Sequence, residues 1–385
     1  MTERLKLHKK WFSGLAFLVF ITPSITLVAQ QYQEEPLDPE VQELIIHEDE
    51  LADEYNPAEA ILHHIKDAHE WHILTTKSGH HVSVPLPIIL YSKKSGLHAF
   101  MSNKLAHGHN HKGFEIGHGN IELENKDGEL VEKSIDGKIL ELDENGELVK
   151  EGLPLDFSIT KNVFMMFISV VILLIVFLRV AGIYKKRGVS APKGLQGFLE
   201  PLIVFVEEDI ALANIGEDKY ARYVPYLLTI FFFILINNLM GLIPIFPFGA
   251  NVSGNIAFTM VLAVFTLLVI NLSGNREYWR HIFLTPGVPF WLLPIMVPVE
   301  LIGIITKPFA LMVRLFANIT AGHIIILSLV SLIFIFKSVY MSLPTLLMVL
   351  FMNMVELLVA FLQAYIFTLL SSLFIGLAMP EHHHD

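Results

Sequence analysis

The chain has 385 residues, no cysteine, 53% hydrophobic and 17% charged side chains, with a mean hydropathy of +0.54. A purely soluble protein does not carry that apolar content, and the missing thiols exclude a disulfide framework, a thiolate zinc site and a cysteine nucleophile. The formal charge of −11 sits in residues 31–155, which sum to −15 against +3 before them and +1 after them, and such an acidic excess argues against a nucleic-acid partner.

Residues 1–29 read as an export signal. Arg4, Lys6, Lys9 and Lys10 precede an apolar run from Trp11 to Ala29, the order a secretory signal requires. Cleavage after Ala29 is expected, although Leu27 is large for its place. An uncleaved anchor is the alternative, and either reading puts residue 31 across the membrane.

Residues 30–155 are expected to form a small, acidic, histidine-rich exported domain. Residues 31–60 hold eleven acidic and no basic side chains, a solvated start with one helix over Pro57 to His69. From Trp71 to Phe100, β-branched and aromatic runs are broken by Gly79, Pro85, Pro87 and Gly96. Asp127-Gly128, Asp136-Gly137 and Asn145-Gly146 then recur at a spacing of nine. That predicts a run of hairpin turns, because these pairs supply the positive φ angles that two-residue turns need. His107, His109 and His111 would share one face of a strand and are weak candidate ligands for zinc, copper or nickel. A solvated, fortuitously metal-sticky loop is the favoured reading.

Residues 156–385 read as the membrane domain. Apolar segments run from Val163 to Tyr184, Tyr223 to Phe248 and Ile256 to Leu272. Two more, Phe290 to Phe336 and Leu343 to Met379, exceed the roughly 20 residues that cross a bilayer, so they are expected to be tilted, kinked or partly buried in protein. Residues 197–214, interrupted by Glu207, Glu208 and Asp209, read as interfacial. The expected fold class is mainly α and multi-span. Two long tilted C-terminal helices form a hairpin, and a small β-rich domain precedes the spans.

Lysine and arginine set the orientation. Lys185, Lys186, Arg187, Lys193, Lys219, Arg222, Arg276 and Arg280 all fall inside if residue 155 is outside, as the positive-inside rule asks. The turn from Lys337 to Ser342 is then outside and Asp385 inside.

Between Phe290 and Met379 the only charged side chains are Glu300, Lys307, Arg314, Lys337 and Glu356, with His323 as the one histidine. A charge at bilayer depth costs roughly 2.5–3.5 kcal/mol on insertion scales, so each needs a partner or a purpose. Lys337 belongs to the turn, and Lys307 can snorkel toward the inner surface. Arg314 lies too deep for that. If both long helices are continuous and turn near residue 340, His323 is level with Glu356 and Arg314 is level with Gln363. Imidazole and carboxylate can both exchange protons near neutral pH, whereas arginine keeps its proton and offers a fixed positive charge. Glu300 and Glu356 lie on opposite sides of Arg314 in depth. An internal ion pair of Arg314 with Glu300 or Glu356 is the structural alternative.

The run Ile304-Ile305-Thr306-Lys307-Pro308-Phe309-Ala310-Leu311-Met312-Val313-Arg314-Leu315-Phe316-Ala317-Asn318-Ile319-Thr320-Ala321-Gly322-His323 resembles the signature of subunit a of F-type ATP synthases. Leu362-Gln363-Ala364-Tyr365-Ile366-Phe367 resembles its last helix, and Asn238-Leu239-Met240-Gly241-Leu242-Ile243-Pro244 its Asn-Leu-Met motif. The resemblance covers residues 155–380 and leaves 31–155 aside. It implies that Arg314 is the essential arginine facing a rotating ring of c subunits, with Asn318 and Gln363 as polar neighbours. His323 and Glu356 occupy positions where the family places an acid and a histidine in either order, here histidine first as in the mitochondrial type. Glu300 matches the acid of the inner half-channel. Gly241 departs from members with an aspartate there, which shifts weight toward Asn237 or Asn238.

The implied protein is the non-catalytic, proton-translocating channel subunit of the synthase, needing no cofactor. It would sit in a bacterial inner membrane with residues 30–155 periplasmic and the C-terminus cytoplasmic. The implied partners are the c-ring, the peripheral-stalk b subunits, the F1 head through the stalks, and the lipid bilayer. A histidine-rich metal transporter is disfavoured, since the membrane region holds only His281 and His323 besides the His382 to His384 tail. A secondary transporter should show an internal repeat of spans, and none is apparent.

Overall fold

The computed structural model of the chain describes residues 65–75, 81–106, 109–117, 119–124, 130–135, 137–143, 153–187, 191–243, 246–284, 288–336 and 339–379, with Pro57 and Ile61. The expected export signal, the acidic start up to Asn56, His107 and the Asn145-Gly146 turn lie outside the described residues. Of the helix expected over Pro57 to His69, Pro57, Ile61 and Ile65 are described and are helical, whereas Lys66 to His69 are described and are not, so the helix does not reach His69.

Nine short strands come next among the described residues: β1 (Glu70–Thr75), β2 (His81–Pro85), β3 (Pro87–Ser92), β4 (Gly96–Met101), β5 (Phe114–Ile116), β6 (Asn120–Glu124), β7 (Leu130–Ser134), β8 (Ile139–Glu141) and β9 (Leu155–Asp156). They pair antiparallel as β1–β2, β4–β3–β9, β5–β8 and β6–β7. Strand alternation explains the core of this region. Ile88, Leu90 and Ser92 of β3 point inward while Tyr91 is exposed, and Ile88 and Leu90 meet Leu105, Phe114 and Ile139. The strands flanking Asp127-Gly128 do pair as a hairpin. Asp136-Gly137 departs from expectation. Gly137 has φ +74°, but the turn joins β7 to β8, whose partners are β6 and β5 respectively, so it is not a hairpin.

The helical part begins with α1 (Lys161–Arg187). Its start is fixed by Asp67, whose carboxylate accepts from the Thr160 hydroxyl at 2.7 Å and the Asn162 backbone N–H at 3.2 Å, a negative group at a helix N-terminus. Next to it, His69 Nε2 lies 2.8 Å from Asp156 Oδ2, and the Ser158 N–H donates to Asp156 Oδ1 at 2.8 Å. Burial opposes ionisation of this carboxyl, yet the bonds from His69 and Ser158 outweigh it and hold it below the usual carboxylate value. Phe167, Val171, Leu174 and Leu178 of α1 are exposed, a face suited to lipid rather than water.

Helix α2 (Leu195–Val204) runs on as a π-helical stretch, Phe205–Leu212, and ends at Ile215. The Ile210 carbonyl accepts from Asn214 Nδ2 at 2.7 Å and from the Ser372 hydroxyl at 2.9 Å. Beyond it lie four helices: α3 (Tyr220–Gly241), α4 (Ile256–Ser273), capped by the Asn255 side chain, α5 (Arg276–Phe283), and α6 (Leu293–Phe336). The last is α7 (Val339–Leu377). Leu227, Phe231 and Ile234 of α3 recur on one helical face and bury against Leu311 and Leu315 of α6 and Ala364 and Phe367 of α7. Helices α1, α3, α4, α6 with the three residues before it, and α7 are long and apolar enough to cross a membrane. The span expected from Tyr223 to Phe248 is shorter than predicted, because α3 ends at Gly241 and Phe246–Asn255 forms a loop in which Phe248, Ala250 and Val252 pack on protein.

Candidate functional site

Only two residues separate α6 from α7, so counting back from that turn sets which side chains meet. His323 Nδ1 and Glu356 Oε1 share a hydrogen bond of 2.7 Å, with the side chains 14% and 4% exposed. Gly322, one residue before the histidine, leaves room for the carboxylate against α6. A buried acid in contact with an imidazole is a pair that can hold, pass or accept a proton without a free charge in the bilayer.

Beside this pair lies a cavity of about 10 Å³. Its walls come from α3 (Asn237, Asn238), from the α3–α4 loop (Asn251, Ser253) and from His323 and Glu356. Asn238 Nδ2 donates to the Ala360 carbonyl at 3.2 Å, tying α3 to α7, while Asn237 Nδ2 donates back to Phe233. Asn251 Oδ1 accepts from the Gly254 N–H at 2.9 Å. What remains is Asn237 Oδ1, Asn238 Oδ1, Asn251 Nδ2 and Ser253 Oγ, all buried without a hydrogen-bond partner among the described residues. A polar cavity with room for about one water and several such groups is where a buried water is stable.

Arg314 is on α6 between the two acids, about 13 Å along the helix from His323 and about 21 Å from Glu300 by the helical rise. It is half-buried, next to the exposed Val313, Ala317 and Asn318. Among the described residues it has no ion-pair or hydrogen-bond partner, so no internal couple with Glu300 or Glu356 is present. Gln363 is buried at 3% exposure and shares no hydrogen bond with Arg314. Thus one of the two rungs read from the sequence closes into a bond, and the other does not. Lys307 is exposed with its Nζ 5.4 Å over the Phe374 ring. Glu300 is half-exposed near Tyr278 of α5, whose phenol is pushed up first by burial and then by the Glu300 charge.

Among the described residues of the histidine-rich segment, His109 and His111 do not share the strand that a metal face would need. His109 is exposed outside any strand, and His111 makes an isolated bridge to Phe114 and packs on Phe100. Burial and the charges of Lys104 and Lys112 lower the His111 imidazole. Among the described residues no group of three or more metal-ligating side chains is present. Sequence reasoning did not single out Asn251 and Ser253. A loop asparagine and serine carry no pattern, and only the fold brings them to the pair.

Residues 163–376, more than half of the chain, match the family described as ATP synthase A chain. Residues 60–157 match a separate family described as a domain of unknown function, DUF8433. The ATP synthase subunit a of Chloroherpeton thalassium is 50% identical over 233 residues, covering 60% of this chain and 69% of that one. The ATP synthase subunit a 2 of Prosthecochloris aestuarii is 48% identical over 240 residues, covering 60% and 71%. The ATP synthase subunit a of Pelodictyon phaeoclathratiforme is 44% identical over 277 residues, covering 68% and 79%. With its apolar helices long enough to pass the bilayer several times, the chain belongs to the ATP synthase A chain family, subunit a of the F-type synthases.

Proposed function

We propose that this chain provides two proton half-channels beside a rotating c-ring, coupling proton flow to rotation and so to ATP synthesis. The observation that carries this reading is Arg314, a permanent cation in a membrane-length helix with no partner of its own among the described residues. An unpaired guanidinium there is costly unless an anion from another chain meets it. The exposed residues beside it supply a face for that meeting.

In this mechanism a proton arrives from the outer side past Asn238, is held by the Glu356–His323 pair, and is transferred to a c-ring carboxylate, which becomes neutral and moves into lipid. After nearly a full turn the acid reaches the field of Arg314, with Asn318 and Gln363 as its polar flank. There it ionises, and the proton leaves toward Glu300. Arg314 also prevents a direct leak, since only an ionised carboxylate can pass it, and then only by pairing. Each charge crossing is worth about 2.3 kcal/mol per 100 mV, so several must combine for one ATP.

The same reading places residues 1–29 as a signal or anchor, 30–155 on the periplasmic side, and 156–385 as the channel domain in a bacterial inner membrane, with the C-terminus cytoplasmic. The c-ring, the b subunits of the peripheral stalk and, through the stalks, the F1 head are its partners. The test is Arg314→Ala in the assembled complex in inverted vesicles: proton-driven ATP synthesis should vanish while the head still hydrolyses ATP. Normal coupled pumping in that variant refutes the assignment.

A further inference from the structure

The loop from Phe246 to Asn255 serves two neighbours. Phe248, Ala250 and Val252 pack into one apolar cluster with Trp71 of β1, and the exposed Phe246 meets the Trp71 ring from outside it. Asn251 and Ser253, with Ala250 and Val252 beside them, line the cavity next to His323 and Glu356 and carry polar atoms that nothing else in the described chain satisfies. Trp71 is 7% exposed, and its ring meets Phe246 at 5.5 Å and Phe164 of α1 at 6.0 Å, both edge-on.

Few backbone bonds hold this loop. The Gly249 N–H donates to Met240 at the end of α3 at 3.1 Å and the Gly254 carbonyl accepts a long bond from the Thr320 hydroxyl of α6 at 3.5 Å, while the Val252 and Asn255 N–H groups bond only within the loop. Side-chain packing therefore does much to set its position, and Trp71 is the largest side chain in the cluster. That tryptophan comes from the strand-rich region, outside the part of the chain that matches the ATP synthase family.

Resting on the proton-path reading above, we propose that Trp71 is a positioning residue for the outer half-channel. By clamping the apolar residues of the loop, it holds Asn251 and Ser253 where they line the water-sized cavity that delivers protons to the Glu356–His323 pair. The strand-rich region is then a working part of the channel wall and not a passenger.

The test is passive proton flux through vesicles holding the whole membrane sector with the head stripped off, measured across a range of pH at fixed diffusion potential. Assembly is checked first by copurification with the c-ring. Trp71→Ala should lower flux about tenfold, since a displacement of the order of 1 Å in a positioned group costs up to about a hundredfold. Trp71→Phe should restore most of it, because an aromatic edge contact survives. Asn251→Ala should reproduce the same loss and the same change of pH profile, and the double variant should be no worse than the more severe single one. Wild-type flux and pH profile in assembled Trp71→Ala, or losses that simply multiply in the double variant, overturn the proposal. Should Trp71→Ala fail to assemble, Phe246→Ala removes the same ring contact from the loop side and decides: wild-type flux there also overturns it. An Arg314→Ala complex that still couples would sink the proton-path reading instead, so the two failures are told apart.

Discussion

A methyl group on Gly322 would sit 2.8 Å from Oε1 of Glu356 and 3.1 Å from its carboxyl carbon. The absence of a side chain at that one position of α6 is what lets the α7 carboxylate lie against the neighbouring helix and reach His323. Gly322→Ala should push the acid away, at a cost of about 1–3 kcal/mol typical of overpacking. We expect the complex to assemble and proton flux to fall at least about tenfold. Flux measured on head-stripped vesicles checks this, and an unchanged rate would show that the close approach is not needed.

Exchanging the members of the buried pair probes whether contact or order matters. Glu356→His and His323→Glu should each abolish most flux, because each leaves two like groups facing one another in a buried site. The double exchange should recover more than either single change, since the 2.7 Å contact can form with the roles reversed. Comparing growth on a non-fermentable carbon source for the three strains would measure it. A double variant as poor as the singles would tie function to the present order.

The clasp between His69 and Asp156 should make the strand-rich region sensitive to acid. The Asp156 carboxyl is held below its ordinary value in the folded chain, so its stabilisation is present above about pH 4 and fades as pH falls through the lowered value. The Asp156 side chain is 34% exposed, and solvent screening keeps the contribution to about 1 kcal/mol or less. The melting advantage of the wild-type complex over Asp156→Asn should therefore narrow as pH is lowered from about 6 to about 3. An advantage independent of pH would contradict it.

Asp67 should matter through α1. Asp67→Ala removes the acceptor for the Thr160 hydroxyl and the Asn162 N–H, a loss of about 0.5–2 kcal/mol by analogy with helix caps. Hydrogen exchange at the first turn of α1 should rise in the variant, while exchange in α7 stays as it was. A uniform increase would mean the carboxylate supports more than this helix end.

Much of the membrane part was legible because hydropathy and length respond to the bilayer, which every span meets alike. The His323–Glu356 contact was legible because the α6–α7 turn is so short that counting residues fixes the register. The same counting put Arg314 level with Gln363 but said nothing of hydrogen bonds, which depend on where side chains point. The end of α3 was missed because apolar residues continue past Gly241, and sequence cannot distinguish a residue that faces lipid from one that packs on Trp71. Gly137 does turn, yet local turn chemistry does not encode which strands pair. Contacts such as Trp71 with Phe246, far apart along the chain, leave no periodicity to read.

The widened coil at Phe205–Leu212 has a consequence for how this subunit tolerates change. Such a stretch differs from its ordinary counterpart by one extra residue in the winding, with the Ile210 oxygen caught between Asn214 and a hydroxyl of the final helix. Losing one residue there would restore regular winding with the flanking turns still in phase, whereas losing one from the regular helix before it would rotate everything upstream by about 100°. This segment is therefore where the helix can absorb a one-residue change in length, at the cost of the two bonds that the Ile210 oxygen accepts.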